Sequence, residues 1–253
     1  MRVKLINLNV WYGGKRLWDN IVQYLKDEQP DILTLQEAYA SEELGAAPYL
    51  KTASSLQQIL GFPYSAFGLE FILQTKEEKA PMGSAILSKF PLANEQAVWI
   101  HGSAPIEVND TKRENIPNFV RNILHCETII NGQTYNLMTL HGVWAPDNTE
   151  TEAQKVMGRK ISEYVKDKPN VILTGDFNVN ENTETIRMLE QNLTNIFKGE
   201  RVSSFNMEHK TRPGYATAVV DFVFASPNIK ILEHYTADAN VSDHQSQVVV
   251  FDL

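Results

Sequence analysis

The sequence predicts an α/β fold in which two sheets pack together and helices lie outside them. Three observations carry this. Apolar stretches with strand rhythm outnumber those with helical rhythm. They recur from end to end with no composition break, Gly/Ser linker or internal repeat, so residues 1–253 read as one domain. A chain with 43% hydrophobic and 21% charged residues also has the means to bury a large core.

The elements follow in order. Residues 3–10 alternate as a strand. Leu17, Ile21, Tyr24 and Leu25 recur at helical spacing, and Pro30 closes that helix. Residues 31–36 form a short buried strand, and 54–60 a helix stopped by Gly61. Strands are predicted near 64–73, 83–88, 96–101, 120–130 and 134–141, with Asn131-Gly132 as a tight hairpin turn between the last two. Residues 151–167 place Ala153, Val156, Met157, Ile161, Tyr164 and Val165 on one helical face. A strand at 170–175 and a weaker helix around 184–191 follow. Strands at 219–225, 229–235 and 245–252 end the chain, with Ser226-Pro227-Asn228 marking a hairpin between the first two. Polar residues crowd into loops at 75–81, 103–118 and 207–216, which read as a rim. Gly13-Gly14-Lys15 lacks phosphate-loop spacing and reads as a turn before a helix.

The formal net charge of -8 argues against a protein that wraps a long nucleic-acid backbone, although a metal site itself requires carboxylates. The single cysteine, Cys126, forms no intrachain disulfide and reads as a small buried residue on a strand. The start of the sequence shows no secretion signal, and no apolar run suffices to span a bilayer, so the expectation is a cytoplasmic protein.

Carboxylates, amides and histidines fall repeatedly at the ends of apolar strands, where open α/β sheets place their sites. Gly175-Asp176-Phe177-Asn178 closes the strand Val171-Ile172-Leu173. Asp176 is placed to orient and deprotonate a water, and Asn178 to donate to a phosphate oxygen. The plain alternative is a turn capped by both residues. Glu37 ends another buried strand and suits a hard divalent cation, though an acid there also reads as a surface residue. Asp243-His244 offers a carboxylate ligand beside an imidazole that binds phosphate or moves a proton, unless it is a polar turn. His141 ends a strand in the same way and is either an acid for the leaving oxygen or a structural histidine. Asp221 interrupts Val219-Val220-Asp221-Phe222-Val223-Phe224; burial of that carboxylate demands a partner, for which a histidine is the natural choice. Asn7 and Asn9 share one face of the first strand, with Asn9 at its end.

Each signal is weak alone; their joint order is specific. Leu8-Asn9-Val10, Leu35-Gln36-Glu37, the run from Gly83 to Pro91, Thr139-Leu140-His141, Gly175-Asp176-Phe177-Asn178, Val220-Asp221-Phe222-Val223 and Ser242-Asp243-His244 span nearly the whole chain. In that order the sequence resembles the endonuclease/exonuclease/phosphatase superfamily. The resemblance implies a four-layer α/β sandwich of the DNase I type, with two packed, mainly antiparallel mixed sheets flanked by helices. It implies hydrolysis of a phosphate ester, foremost a diester, by in-line attack of an activated water with Mg2+ or Mn2+. Glu37 would be the main metal ligand, with Asn9 and Asp243 close by. Asp176 and Asn178 would act on water and phosphate. His244 would pair with Asp221, and His141 would be a second histidine.

Trp11 stands where apurinic nucleases of this superfamily carry an aspartate; an Asn-x-Trp start is instead similar to some sphingomyelinases. Residues 219–225 lack the Trp/Asp-Arg signature of the inositol phosphatases. The substrate class therefore stays open between nucleic acid, a lipid headgroup and a sugar or inositol phosphomonoester. Rim cations Lys112, Arg113, Arg121, Lys210 and Arg212 would suit a nuclease, and aromatics Trp11, Tyr12, Trp144 and Tyr215 a base or a lipid. From these, Trp11, Arg121 and Trp144 are the candidate substrate contacts. A rival of another kind, a non-catalytic binding module that kept the fold, is disfavoured because every charged position is filled.

Overall fold

The computed structural model describes residues 1–74, 79–109, 115–146 and 149–253. In chain order the main elements are β1 (Arg2–Asn9), α1 (Trp18–Glu28), β2 (Ile32–Tyr39), α2 (Thr52–Leu60), β3 (Tyr64–Gln74) and β4 (Lys79–Ser88). Then come β5 (Leu92–His101), β6 (Ile106–Val108), β7 (Arg121–Ile130), β8 (Gln133–His141), α3 (Glu152–Val165) and β9 (Val171–Asp176). The chain closes with α4 (Glu184–Leu189), β10 (Thr194–Asn195), β11 (Asp221–Ala225), β12 (Lys230–Thr236) and β13 (Gln247–Asp252). One sheet runs β12-β13-β1-β2-β4-β3-β6 and the other β10-β11-β9-β8-β7-β5. Pairing is mainly antiparallel; β1/β2, β3/β6 and β8/β9 are parallel.

The layers follow from strand periodicity. On β1, Ile6 and Leu8 face outward and pack with Ile21, Leu25 and Leu56 of α1 and α2. On β9 and β11, Leu173, Phe222 and Phe224 face outward against Met157, Ile161 and Ile186 of α3 and α4. The other faces meet between the sheets, where Val3, Leu5, Ile32, Leu137, Ile172, Val223 and Val249 form the central core. The result is the α/β/β/α sandwich.

Along each central strand the inner face changes character. On β1 it runs from Val3 and Leu5 to Asn7 and Asn9; on β9 it runs from Ile172 through Thr174 to Asp176. On β8 it runs from Leu137 through Thr139 to His141. An apolar end, a polar middle and a charged end are thus stacked in register across both sheets. The polar middle pairs largely with itself, with Gln36 Oε1 left without a partner among the described residues. The Asn7 carbonyl accepts from Gln36 Nε2 at 2.9 Å and from Thr34 Oγ1 at 3.1 Å. Gln36 Nε2 also reaches Thr139 Oγ1 in the opposite sheet at 2.8 Å, and Thr174 Oγ1 donates to Thr34 Oγ1 at 2.9 Å. Buried amides and hydroxyls are tolerable only when paired in this way.

Helix boundaries obey the expected caps. Gly61 takes a left-handed conformation at φ 71° and ends α2, and Thr151 with Gln154 forms a capping box at α3. Ser226-Pro227-Asn228 does not close a hairpin. β11 pairs with β9 and β10, whereas β12 pairs with β13 in the other sheet, so the turn is a crossover between sheets. The reason is burial: β11 is apolar on both faces and takes an interior position, while the half-exposed β12 takes an edge. Lys79–Pro81 of the expected loop extend β4, Ile106–Val108 add a short strand beside β3, and β5 begins at Leu92. Residues 75–78, and the rim cations Lys112 and Arg113, lie outside the described residues. Cys126 is buried between the sheets, and the Gly13-Gly14 segment is a turn ahead of α1.

Candidate active site

The charged ends of the inner strand faces converge. Asp221 lies opposite Asp176 in the β11/β9 register, and His141 beside Asp176 in the β8/β9 register. From the other sheet, Asn9 Nδ2 donates to Asp176 Oδ2 at 3.0 Å and to Glu37 Oε1 at 3.3 Å. Its carbonyl accepts the Trp11 amide at 3.0 Å, which fixes the orientation of the side chain.

Two local distortions aim the acids. Between Leu35 and Ala38 the β2/β4 register slips, and Glu37 sits there at φ 57°. Such a bulge turns its side chain out of the ladder toward the site, at a cost of about 1–3 kcal/mol. The Tyr12 amide holds Glu37 Oε2 at 2.8 Å. At the second distortion, Gly175 adopts φ 151°, and a Cβ there would lie 2.2 Å from the Leu140 carbonyl oxygen. Asp176 then turns back so that its Oδ1 accepts the Asn178 amide at 2.9 Å, while Asn178, at φ 55°, donates through Nδ2 to the Gly142 carbonyl at 3.2 Å.

His244 Nδ1 pairs with Asp221 Oδ2 at 2.9 Å, supplying the partner that the buried carboxylate requires. His244 Nε2 points to Asp176 Oδ2 at 3.7 Å, and His141 Nε2 stands at the same distance from that oxygen. The two histidines differ in charge. Burial opposes protonation of His244, but Asp221 and Asp176 outweigh it and raise its pKa to about 10. Burial, Arg121 and His244 push His141 well below the ordinary imidazole range. Burial raises Asp176 to about 7, aided by the charge of Asp221 and opposed by that of His244. A neutral His141 therefore faces an imidazolium across a carboxylate that holds its proton more tightly than usual.

The second pole is Glu37 with Asp243. Burial and then the charge of Asp243 raise the Glu37 carboxyl. Lys210 Nζ sits 2.7 Å from Asp243 Oδ2, so an ammonium already neutralises this pole. An oxygen-rich donor set, buried like charges and a cation drawn onto them fit a hard divalent ion. Asp176, Asp221 and His244 also bring one ligand atom each within 4.8 Å of one another. In that trio, however, Asp221 and Asp176 hold His244 as an imidazolium, whose protonated ring nitrogens do not ligate, so the Glu37–Asp243 pole is the better seat.

Around both poles lies a cavity of about 420 Å³. Trp11 stands on its rim, its ring centroid 5.4 Å from that of His209 and 4.7 Å from the Arg16 guanidinium. Trp144 also lines it. Arg121 lines it from a buried position: Nη1 bonds Glu70 Oε2 at 2.8 Å and Nε bonds the Gly142 carbonyl at 3.0 Å. Nη2 makes no hydrogen bond among the described residues. Glu70 is absent from the expected site, although an acid inside the apolar strand 64–73 is the same signal that marks Asp221. In sequence Lys210 is one of several rim cations, and nothing in its loop reveals that it lies on Asp243.

Comparison with known proteins agrees with this geometry. A sequence model described as the Endonuclease/Exonuclease/phosphatase family matches residues 6–244. Comparison with curated protein sequences gives no match. Among solved structures, an endonuclease/exonuclease/phosphatase from Beutenbergia cavernae DSM 12333 superposes with a TM-score of 0.76 at 17% identity, over 100% of this chain and 72% of its own. D. rerio TDP2, solved with a single-strand DNA product, gives 0.72 at 16% identity over 100% and 99%. A family protein from Bacteroides thetaiotaomicron gives 0.68 at 17% over 100% and 99%. The four-layer sandwich is thus shared at low identity.

Proposed function

The chain belongs to the endonuclease/exonuclease/phosphatase family, and from there we propose that it hydrolyses phosphodiesters with a divalent cation, Mg2+ or Mn2+, by in-line attack of water. The observation that carries the reading is the meeting of Asn9, Glu37, His141, Asp176, Asn178, Asp221, Asp243 and His244, from both sheets, around one cavity.

Glu37 and Asp243 would hold the cation, with Asn9 orienting Glu37 and Asp176 beside them. When bound, the ion would supply charge to offset the negative transition state and to aid departure of the leaving oxygen. Asp176 takes the proton of the attacking water while its Oδ1 is fixed by the Asn178 amide. The new bond joins water oxygen to phosphorus, and the bond from phosphorus to the leaving oxygen breaks. His244, an imidazolium held by Asp221, faces the phosphoryl oxygens and carries the proton that the leaving oxygen needs. His141, kept neutral, donates a hydrogen bond. Arg121 offers Nη2, unpaired among the described residues, to a phosphoryl oxygen, and Glu70 together with the Gly142 carbonyl holds the guanidinium in place.

The test is hydrolysis of bis(p-nitrophenyl) phosphate beside p-nitrophenyl phosphate after chelation and re-addition of Mg2+ or Mn2+. Metal-dependent turnover of the diester in excess of the monoester, lost in Asp176→Asn, is the expected result. Turnover that survives chelation, or near-normal activity in Asp176→Asn, contradicts the proposal.

A further inference from the structure

Next to the cavity over the acids lies a second one, of about 270 Å³. Trp144, Asn178, Phe205, Arg212 and Tyr215 line both, so the two adjoin. Phe205 is the hinge between them: its ring centroid lies 4.6 Å from that of His244 and 4.7 Å from that of Tyr215. A group seated there is one side chain away from the histidine that faces the scissile phosphate. We propose that this second cavity holds the arm retained on phosphorus, and that this arm is a nucleoside gripped by its flat base. The assignment rests on the phosphodiesterase reading above and names its substrate class.

Charge and polarity select among the arms a diester can carry. An acyl chain would desolvate Glu150, Asn178, Asn180 and Arg212 without giving them partners, which is costly. Aromatic walls can take a quaternary ammonium through cation–π contact, but here the Arg212 guanidinium brings a like charge to the same wall. Glu150 is already committed, its two oxygens taking the backbone amides of Glu184 at 3.1 Å and Thr185 at 2.7 Å. Arg212 has no acidic partner among the described residues and would repel such a cation. A heteroaromatic base meets each condition. It offers a π face to Trp144 and Tyr215, acceptor atoms to Arg212, and an edge to Asn180, whose Oδ1 is used by the Val219 amide at 2.9 Å while its Nδ2 makes no hydrogen bond among the described residues. The volume suits one nucleoside, and the net charge of -8 disfavours a long polyanionic backbone. The substrate is therefore a short nucleotide ester.

Three esters with one leaving group test this in the presence of Mn2+: thymidine 5′-(p-nitrophenyl phosphate), methyl p-nitrophenyl phosphate and p-nitrophenyl phosphorylcholine. The thymidine ester should exceed the methyl ester in kcat/KM by at least about tenfold, within the roughly five- to hundredfold range of base stacking. Trp144→Leu and Arg212→Gln should each cut that ratio several-fold. A ratio near one, the choline ester as best substrate, or a ratio untouched by both variants overturns the assignment. If the methyl ester still turns over and Asp176→Asn abolishes this, only the nucleoside assignment falls. If no ester is hydrolysed in a metal-dependent way, the phosphodiesterase reading falls and takes the assignment with it.

Discussion

Glu37 occupies a left-handed conformation inside a strand, which asparagine and glycine tolerate and glutamate resists. Its carboxylate is also half-buried and sits beside the charge of Asp243, which together raise its pKa. Both features oppose stability, so the residue is kept there by what its carboxylate does. Glu37→Asn should therefore unfold at no lower urea concentration than the parent, yet lose at least about a hundredfold in metal-dependent turnover. Gly175 gives the opposite pattern. Gly175→Ala places a methyl against the Leu140 carbonyl in a backbone region closed to alanine, and should destabilise by about 2 kcal/mol or more in urea titration. The sequence displayed both residues, because an acid or a glycine ending an apolar run is visible one strand at a time. Hidden from it were Lys210 on Asp243 and Glu70 under Arg121, which only the fold brings together.

Element boundaries come from local chemistry, and most were legible for that reason. Gly61 stops α2 and Thr151-Gln154 starts α3 through bonds between near neighbours in sequence. Pairing is another matter. Ser226-Pro227-Asn228 signals a change of direction without saying which sheet the chain enters next; that depends on β11 being buried on both faces. The cap on α4 is likewise non-local. Glu150, more than thirty residues away in sequence, accepts two of its first backbone amides. Burial raises the Glu150 carboxyl, but the hydrogen bonds to Thr185 and Glu184 outweigh it and leave the pKa lowered. A lowered carboxyl stabilises the fold above its unfolded value and loses that contribution as pH falls through the folded one. Glu150→Gln should hence cost about 1 kcal/mol near neutrality, and the difference from the parent should shrink below pH 4.5 in acid titrations of stability.

At the scale of the whole molecule, two sheets must be held in register for acids from each to meet. The polar layer of Asn7, Thr34, Gln36, Thr139 and Thr174 does this beneath the site, and the buried Glu70–Arg121 pair does it at the flank, joining β3 to β7. Burial drives the Glu70 carboxyl up to about 8 even against the opposing charge of Arg121, so the pair is held at a cost. Removing one partner strands the other: Glu70→Ala should lose about 3–5 kcal/mol, and Glu70→Leu with Arg121→Met should recover most of it in urea denaturation. Recovery of stability without recovery of activity would separate the structural role of the pair from its contact with phosphate. The proposed reaction depends on Glu37 of β2 and Asp243 ahead of β13 sharing one cation at the end of their sheet, facing Asp176 and Asp221 of the other. Calorimetric titration of Mn2+ into the parent, Glu37→Gln and Asp243→Asn tests this most directly. Saturable binding to the parent, weakened at least about tenfold in both variants while their folds stay intact, is the predicted result. Equal affinity in all three proteins, or no binding to the parent, would contradict it.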